Sequence, residues 1–360
     1  MNARVVAVLV VLLAALGGGA LLVRQQADSQ KPADSASLGQ PLFKGVQAAS
    51  VAAVAIRQPK GAITIEKKGD RWVIAELDGF PADYDKLRDF VLKTMALKVG
   101  QSEPIGEKDR ARLLLDAGGT MIELRGADGK PLARLTAGKK YFKAEPENPE
   151  RATGDGRYIA LPGEEKRVIV IADPLTQATA KAADWISKAG FEAEKIKALE
   201  LQAAPGAPAG SSWRIERSGD NADWKLAGAR GDEKLEVSKA NAAAYTFGRI
   251  ELADVAPKGL KPEDAGLDKP TVVTATTLDG LTYTLRIGRL EGENHYASVA
   301  VEGEPRPEGP DAEARLKKIG ERLPREKALA QYVVLVPKSK LEDILKKRDD
   351  LLAKKGEKRK

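Results

Sequence analysis

His295 is the only histidine in this chain of 360 residues, and histidine is the side chain best suited to proton transfer near neutral pH. It stands near the start of an alternating segment, residues 294–301, which is typical of a β-strand. As a general base it would need a nucleophile such as Ser298 and an acid that orients the ring, and no motif supplies that acid. We therefore interpret His295 as a structural residue at a strand end.

Cysteine is absent from the sequence, which excludes disulfides, thiolate nucleophiles and sites of zinc or iron–sulfur clusters that need cysteine. A single histidine also excludes sites that need two imidazoles. No Gly-x-Ser-x-Gly or Gly-x4-Gly-Lys-Ser/Thr motif occurs, and Gly154-Asp155-Gly156 is an isolated turn. The sequence therefore predicts no catalytic residue, no cofactor site and no metal site, and an ATPase would have to be another subunit.

Neighbouring acidic residues could in principle perform acid–base chemistry or bind calcium. Examples are Asp83/Asp85, Glu164/Glu165 and Asp349/Asp350. None of these pairs lies in an EF-hand loop pattern, and a glycosidase is defined by the distance in space between its carboxylates, which spacing along a sequence does not give. We expect Asp83 to cap a helix and the other acids to be solvated.

Four tryptophans could stack on sugar rings. They are Trp72, Trp185, Trp213 and Trp224. Three of them occupy predicted strand positions and Trp185 lies on an apolar helix face, so their pattern favours packing in a core over ligand binding.

Positive charge is concentrated at the two ends of the sequence. Of the formal +7, residues 346–360 contribute +5 and Arg4 with Arg24 contributes +2, so residues 25–345 are neutral overall. Aromatic residues make up only 5% of the chain, and a neutral body with few stacking groups excludes nucleic acid as a partner. Anionic phospholipid or an acidic partner could attract the basic tail, although its composition favours a solvated chain end.

Nineteen residues from Val5 to Val23 carry no charged or polar side chain. As a helix they would extend about 28 Å, close to the hydrocarbon thickness of a bilayer. We predict an uncleaved signal-anchor over residues 1–24, with Arg4 and the N-terminal tip in the cytoplasm and the rest exported. The alternative is a cleavable signal peptide with small residues at 18–20. Residues 25–40 have the composition of a flexible stalk.

Similar segments recur at an offset of about 150 residues along the sequence. The segment around Trp72 recurs around Trp224, and the Asp-Gly turn at 128–129 recurs at 279–280. A fixed offset between several features indicates a duplicated structural unit. We therefore predict two tandem copies of one repeat.

The repeat sets the predicted domain boundaries. The first copy covers residues 41–189 and the second covers 190–346, with an insertion at 303–329 that contains a charged helix and a basic C-terminal tail at 347–360. Residues 203–212 resemble a domain linker in composition, but their counterpart in the first copy is a tight turn between strands. We therefore interpret them as an enlarged hairpin loop.

Each copy has the same predicted elements. Alternating apolar residues indicate three short strands joined by turns, and a helix begins after residues 81–83 in the first copy. A hairpin around the Asp-Gly turn, a final strand and a closing helix follow, the last containing Trp185 in one copy and Leu341 in the other. The fold class is therefore α+β, with mostly antiparallel sheets, behind one N-terminal transmembrane helix.

These paired features resemble a bacterial envelope family known only as domain of unknown function 4340. The resemblance rests on Trp72 with residues 80–83, on 265–270, on 279–288, and on 332–337 before Leu341. It covers nearly all of residues 41–346, but the first copy departs from the Gly-Leu-Asp-x-Pro pattern at 114–118. The shared motifs are structural, so no functional residue carries over.

The resemblance implies a cellular setting. Proteins of this family typically have one N-terminal membrane helix, and many are encoded beside subunits of a gliding-type ABC transporter. This implies a protein of the bacterial inner membrane whose bulk is periplasmic and whose partners are proteins of an envelope complex.

Three functions stay open on this sequence. The first is a non-enzymatic binding or scaffold protein, which the absence of catalytic motifs and the neutral body favour. The alternative is a hydrolase of envelope glycan or peptide with a carboxylate site between the two copies, which perturbed acids in a deep cleft would support. A third is a binding protein for a soluble ligand, which an apolar pocket would support.

Overall fold

The computed structural model describes residues 37–353. They form two compact units: unit 1 comprises residues 37–76 and 84–184, and unit 2 comprises residues 77–83 and 185–353. The architecture is mixed α and β, with mostly antiparallel sheets and few helices, as the sequence predicts.

The predicted membrane anchor at 1–24 and most of the predicted stalk lie outside the described residues. Within residues 37–353, no helix is both long enough and apolar enough to cross a membrane. The chain joins unit 1 at the end of the predicted stalk, since the amide of Gly39 donates to the carbonyl of Val99 and that of Leu42 donates to the carbonyl of Leu97.

Residues 37–184 contain nine strands, two helices and three 3-10 turns. The strands are β1 Ala53–Gln58, β2 Gly61–Lys68, β3 Arg71–Ile74, β4 Phe80–Pro81, β5 Gln101–Pro104, β6 Thr120–Arg125, β7 Pro131–Tyr141, β8 Gly156–Ala160 and β9 Arg167–Ile171. The helices are α1 Tyr84–Met95 and α2 Glu107–Arg112, and the 3-10 turns are Ala48–Ser50, Ala75–Leu77 and Ala182–Asp184.

Unit 1 joins eight of these strands in the spatial order β3-β2-β1-β6-β7-β8-β9-β5, and neighbours in this order pair antiparallel. Apolar residues alternate with polar ones along the strands of unit 1, and because side chains two residues apart lie on the same face of a sheet, the apolar residues form its core. Val54 lies opposite Ile65 and Ile56 lies opposite Ile63, and each is at most 1% exposed. The three short strands predicted at the start of this segment are thus present.

From residue 185 onward the chain contains ten strands, three helices and three 3-10 turns within the described range. The strands are β10 Ala189–Glu192, β11 Ile196–Gln202, β12 Trp213–Glu216, β13 Lys225–Leu226, β14 Arg249–Glu251, β15 Asp254–Val255, β16 Thr271–Thr277, β17 Leu281–Glu291, β18 Asn294–Gly303 and β19 Val334–Pro337. The helices are α3 Val237–Phe247, α4 Pro262–Ala265 and α5 Ala312–Ala328, and the 3-10 turns are Leu329–Gln331, Lys338–Lys340 and Arg348–Leu351.

The main sheet of unit 2 has the order β13-β12-β11-β16-β17-β18-β19-β15, again with antiparallel neighbours. Adding ten to each strand number of the unit 1 order gives the unit 2 order, so the strands follow one another in space in the same sequence in both units. The hairpins around the two Asp-Gly turns are β6-β7 and β16-β17, as predicted. Residues 203–212 connect β11 to β12, so the prediction of an enlarged hairpin loop is confirmed.

The predicted closing helices are wrong. In place of the first, Ala182–Asp184 form a 3-10 turn, and the residues that follow bond to the 77–83 segment through the bridge between Ala82 and Ile186. Backbone N–H and C=O groups around residue 186 therefore form hydrogen bonds with the 77–83 segment, whereas in a helix they would pair with each other. In place of the second, Lys338–Lys340 form a 3-10 turn before the fully buried Leu341.

Two segments near the C-terminus are more ordered than their composition indicates. The charged helix predicted in the insertion is α5, which runs on to Ala328. The predicted basic tail at 347–360 begins with residues that belong to unit 2, since Leu351 is fully buried and Arg348 lies 2.9 Å from Glu233. Residues 354–360 lie outside the described range.

One glycine in each unit lets a long strand lie in close contact with the end of a short helix. Gly138 and Gly288 are each the eighth residue of an eleven-residue strand, β7 and β17. A Cβ at Gly138 would lie 2.2 Å from the carbonyl oxygen of Leu113, and one at Gly288 would lie 2.1 Å from that of Ala265. Each strand therefore passes against the end of a short helix, α2 or α4, at a distance that leaves no room for a side chain.

We predict that Gly138→Ala and Gly288→Ala each lower the free energy of unfolding by about 1–3 kcal/mol, because backbone must move to admit the methyl group. Gly61→Ala is the control, because no atom lies within 4 Å of a Cβ built there. Chemical denaturation of the purified chain measures all three. Equal losses in the variants and the control would show that the close contacts do not matter.

Candidate functional site

An open groove of about 350 Å³ runs along α1 in unit 1. Its walls come from the turn at 48–50, from the ends of β2 and β3, and from one side of the helix. The side chains that give it chemical character are Lys67, Trp72, Tyr84, Arg88 and Leu92. We call it the α1 groove.

The helical period explains how α1 forms this groove. The helix begins directly after Asp83, as predicted, and residues three or four apart lie on one face. Leu87 and Val91 are 1% and 6% exposed and anchor the helix in the core. Tyr84 and Leu92 lie at the margin of that apolar face and are 55% and 48% exposed, so they present apolar surface to solvent.

The rim of the α1 groove carries positive charge. The Arg88 guanidinium lies 5.9 Å from the centre of the Tyr84 ring and within 3.1 Å of Asp85 and 3.3 Å of Asp89. Lys67 is exposed and forms no ion pair among residues 37–353. Because the ion pairs of Arg88 are exposed and weak, both cations are available to an acidic ligand.

Unit 2 has a pocket at the corresponding place, and there the tryptophan is covered. The Arg217 guanidinium stacks 4.8 Å from the ring of Trp224, whose indole N–H donates to Asn241 at 3.0 Å. Trp224 is only 5% exposed as a result, whereas Trp72 is half-buried and lines the α1 groove. Trp72 is the second residue of β3 and Trp224 directly precedes β13, so the tryptophan beside the third strand is accessible in unit 1 and buried in unit 2.

His295 and Ser298 do not form a catalytic pair. Both lie on β18, and because side chains alternate along a strand, positions three apart point to opposite faces of the sheet. His295 is half-buried and its Nδ1 lies 3.0 Å from the carbonyl oxygen of Gly288. This contact holds the imidazole at the start of β18.

The acid pairs that the sequence pointed to are spread over separate surface positions. Apart from Asp83, which is half-buried before α1, they are exposed. Among residues 37–353, no group of three or more acids or histidines is arranged to hold a metal ion. Three acids of the described residues are buried, Glu123, Asp279 and Glu326, and sequence reasoning did not predict the burial of any of them.

Glu123 lies on β6 and is 2% exposed, between Arg125 on the same strand and Arg134 on β7. Burial alone would raise the pKa of this carboxyl, but hydrogen bonds from the two arginines outweigh burial and hold the pKa below its ordinary value. The acid is therefore ionised and paired at neutral pH. The cross-strand position of Arg134 opposite Glu123 was the only sequence signal for this pair.

Glu326 on α5 is fully buried. Its carboxylate accepts the backbone N–H of Glu192 at 2.9 Å and the hydroxyl of Tyr283 at 3.1 Å, and Arg322 lies 3.4 Å away. Burial raises the pKa of Glu326 despite these partners, and it also raises that of Tyr283. The group is enclosed by protein on every side, so it ties the helix to the sheet and does not reach a substrate.

A family model described as Domain of unknown function (DUF4340) matches residues 72–270, which is more than half of the chain. The chain belongs to this family. The match begins at Trp72, in the α1 groove, and confirms the resemblance that the sequence motifs indicated. Neither a curated protein nor a solved structure matches the chain.

In this DUF4340 protein the core interpretation holds for three of the four tryptophans. Trp185, Trp213 and Trp224 are at most 5% exposed. The indole N–H of Trp213 donates to the carbonyl of Lys346 at 2.7 Å, so its polar edge is satisfied within unit 2. Of the four tryptophans, Trp72 is the one whose ring is partly accessible.

We predict that Glu326→Gln removes a pH dependence of stability. A carboxyl whose pKa is raised by folding favours the folded state fully at low pH, and that contribution is lost as the pH rises from about 4.5 through the raised pKa. The wild-type chain should therefore lose free energy of unfolding relative to Glu326→Gln over this range, by about 1.4 kcal/mol for each unit of pKa shift. Denaturation from pH 4 to pH 8 measures the difference.

Glu321→Gln is the matched control, because Glu321 is an exposed acid on the same helix. Its difference from wild type should stay nearly constant with pH. A difference for Glu326→Gln that is equally flat would contradict the burial of an ionisable group at this position.

We predict that His295→Gln leaves cellular function unchanged and costs at most about 1 kcal/mol of stability. The glutamine amide can donate to the Gly288 carbonyl with a reach similar to that of the imidazole. Complementation of a deletion strain at matched protein level, together with thermal unfolding of the purified variant, measures both quantities. Loss of the phenotype at normal stability would instead assign a proton-transfer role to His295.

Proposed function

We propose that this protein is a non-enzymatic binding or scaffold protein of the bacterial envelope. In this proposal Val5 to Val23 anchor it in the inner membrane as a single span, and the bulk of the chain is periplasmic. Its partners are proteins of an ABC-transporter-type complex, as the family resemblance implies. The open α1 groove is the observation that carries the binding role.

Several features support the further proposal that the chain contains two tandem copies of one repeat, 41–189 and 190–346. The strand orders of the two sheets correspond label by label. Gly138 and Gly288 make the same close approach to a helix end in their respective units. If the fold is duplicated, one copy can keep a given surface open for binding, and the other copy can bury the corresponding surface under its own side chains.

The α1 groove differs from scattered surface apolar residues in its shape and continuity. Single exposed leucines are ordinary, but here Trp72, Tyr84 and Leu92 line one concave surface. Tryptophan, tyrosine and arginine are also the residue types that contribute most to protein–protein binding. Such a surface gains about 25 cal/mol per Å² of apolar area that a partner removes from water.

The occupant that we propose is a partner segment with apolar side chains and an acidic flank. Its apolar side chains would contact Trp72 and Leu92, and its acids would face Lys67 and Arg88 on the rim. Lys67 has no competing acid among residues 37–353, so an incoming carboxylate would replace only water there. The basic rim therefore selects against partner segments that are themselves basic.

We predict that Leu92→Glu abolishes partner capture while leaving the fold intact, because a charge would sit in the apolar groove and face any acidic flank. The measurement is crosslinking in membranes, gentle solubilisation and recovery of the tagged chain, with bound proteins identified by mass spectrometry. Proteins that copurify with wild type should be reduced at least about tenfold in the variant.

Leu316→Glu is the matched control for this experiment. Leu316 is also a helical leucine, and it is 46% exposed against 48% for Leu92. The control should recover the same proteins as wild type. Equal recovery by wild type and Leu92→Glu, with both chains folded, would exclude the α1 groove as the docking site.

A further inference from the structure

A second cavity, of about 460 Å³, lies in unit 2 between the β10-β14 pair and α5. Basic side chains dominate its lining: Lys188, Arg249, Lys318 and Arg325. The acids that line it are Glu192, Glu194 and Glu251. We call it the cationic pocket.

The acids of the cationic pocket are already engaged. Glu194 lies 2.7 Å from Lys318 and 3.2 Å from Arg322. Those ion pairs lower the pKa of Glu194 although burial opposes them, so this acid is fully ionised and neutralised. Glu192 lies 3.3 Å from Arg322, and Glu251 lies 2.9 Å from Lys340.

Three basic residues of the pocket are left without an acid. Lys188, Arg249 and Arg325 have no carboxylate within 4 Å in the part of the chain that the structure describes. In addition, the buried Nε of Arg325 has no hydrogen-bond partner there. An unpaired cationic group at a cavity wall is costly unless a ligand or water meets its donors.

The wider shell of the pocket is also positive. It contains six basic residues, which are the four that line it together with Arg322 and Lys340, and four acids, which are the three that line it together with Glu326. The shell therefore carries two net positive charges even when the buried Glu326 is ionised. A site of this charge favours an anion with two charges over one with a single charge.

The pocket is built on a rigid part of unit 2. A Cβ at Gly190 would lie 2.3 Å from the carbonyl oxygen of Ile250, so β10 and β14 are in close contact at the pocket wall. Arg249 is stacked 5.6 Å from the ring centre of Tyr245, which is itself 69% exposed. The stacking positions the guanidinium and leaves an aromatic face beside it.

We propose that the cationic pocket binds a phosphate group, held by Arg249, Arg325 and Lys188. Guanidinium groups present paired N–H donors that match two phosphate oxygens, and lysine adds a mobile point charge. Tyr245, which lies outside the lining of the pocket, supports the Arg249 guanidinium through its ring. Two sources carry this chemistry, the headgroup of an anionic phospholipid and a soluble phosphate.

The test uses the purified full-length chain in a neutral detergent. One arm titrates inorganic phosphate by calorimetry, and the other adds mixed micelles with and without phosphatidylglycerol and follows binding by the shift in unfolding temperature. Saturable binding in the first arm supports a free phosphate ligand. Stabilisation only by phosphatidylglycerol micelles supports a lipid headgroup.

Arg249→Gln/Arg325→Gln should weaken binding in the responding arm at least about tenfold, because each substitution removes a charge-assisted hydrogen bond. Arg286→Gln is the control, since Arg286 is an exposed arginine of β17 outside the pocket. It should bind like wild type. Binding should also weaken as salt is raised.

Arg325 is partly buried, so the double variant could lose stability for reasons unrelated to binding. The double variant Lys188→Gln/Arg249→Gln avoids this problem, because both side chains are exposed. It should weaken binding by the same factor. The proposal is overturned if wild type responds in neither arm, or if a folded pocket variant binds as tightly as Arg286→Gln.

Discussion

The carboxylate of Glu326 ties three elements of unit 2 together, and much of the chemistry of that unit depends on this interaction. It accepts one hydrogen bond from β10, through the amide of Glu192, and one from β17, through Tyr283. A fully buried acid is costly unless such partners meet it. The position of α5 on the sheet is therefore set by a polar contact as well as by its buried Ile319 and Leu323.

Fixing α5 in this way also creates the cationic pocket. Arg322, one turn before Glu326, turns toward the buried carboxylate and toward Glu192 and Glu194. Lys318, one turn earlier, pairs with Glu194. Lys318 and Arg322 of the helix thus pair with Glu192, Glu194 and Glu326, and Arg325 is left without a carboxylate within 4 Å in the described part of the chain.

The strands and hairpins could be predicted from the sequence because their signals are local. Alternation marks β1 and β2, and an Asp-Gly turn marks each long hairpin, so residues within ten positions determine the element. The burial of Glu326 could not be predicted in this way. Its partners lie 134 and 43 residues away along the chain, and the helix that carries it has the composition of a solvated one.

The α1 groove was equally hidden, because Trp72 and Trp224 occupy matching positions and look alike in sequence. What separates them is the neighbouring side chains. A planar guanidinium at Arg217 can stack on an indole and does so, whereas the ammonium of Lys67 at the corresponding position is compact and strongly hydrated. The Arg-to-Lys difference beside the ring therefore accompanies the difference in exposure of the two tryptophans, together with the hydrogen bond that Trp224 donates to Asn241.

The two proposed sites lie in units of the same strand order and both carry basic side chains, and the α1 groove adds exposed apolar side chains of a helix. In unit 2 Arg217 and Asn241 cover Trp224, and the insertion that carries α5 places cations beside the small β10-β14 pair. In unit 1 the exposed apolar residues of α1 remain. The strand order is thus the same in both units, and the side chains around it differ: exposed apolar residues lie on α1 in unit 1, and lysines and arginines lie beside β10 and β14 in unit 2.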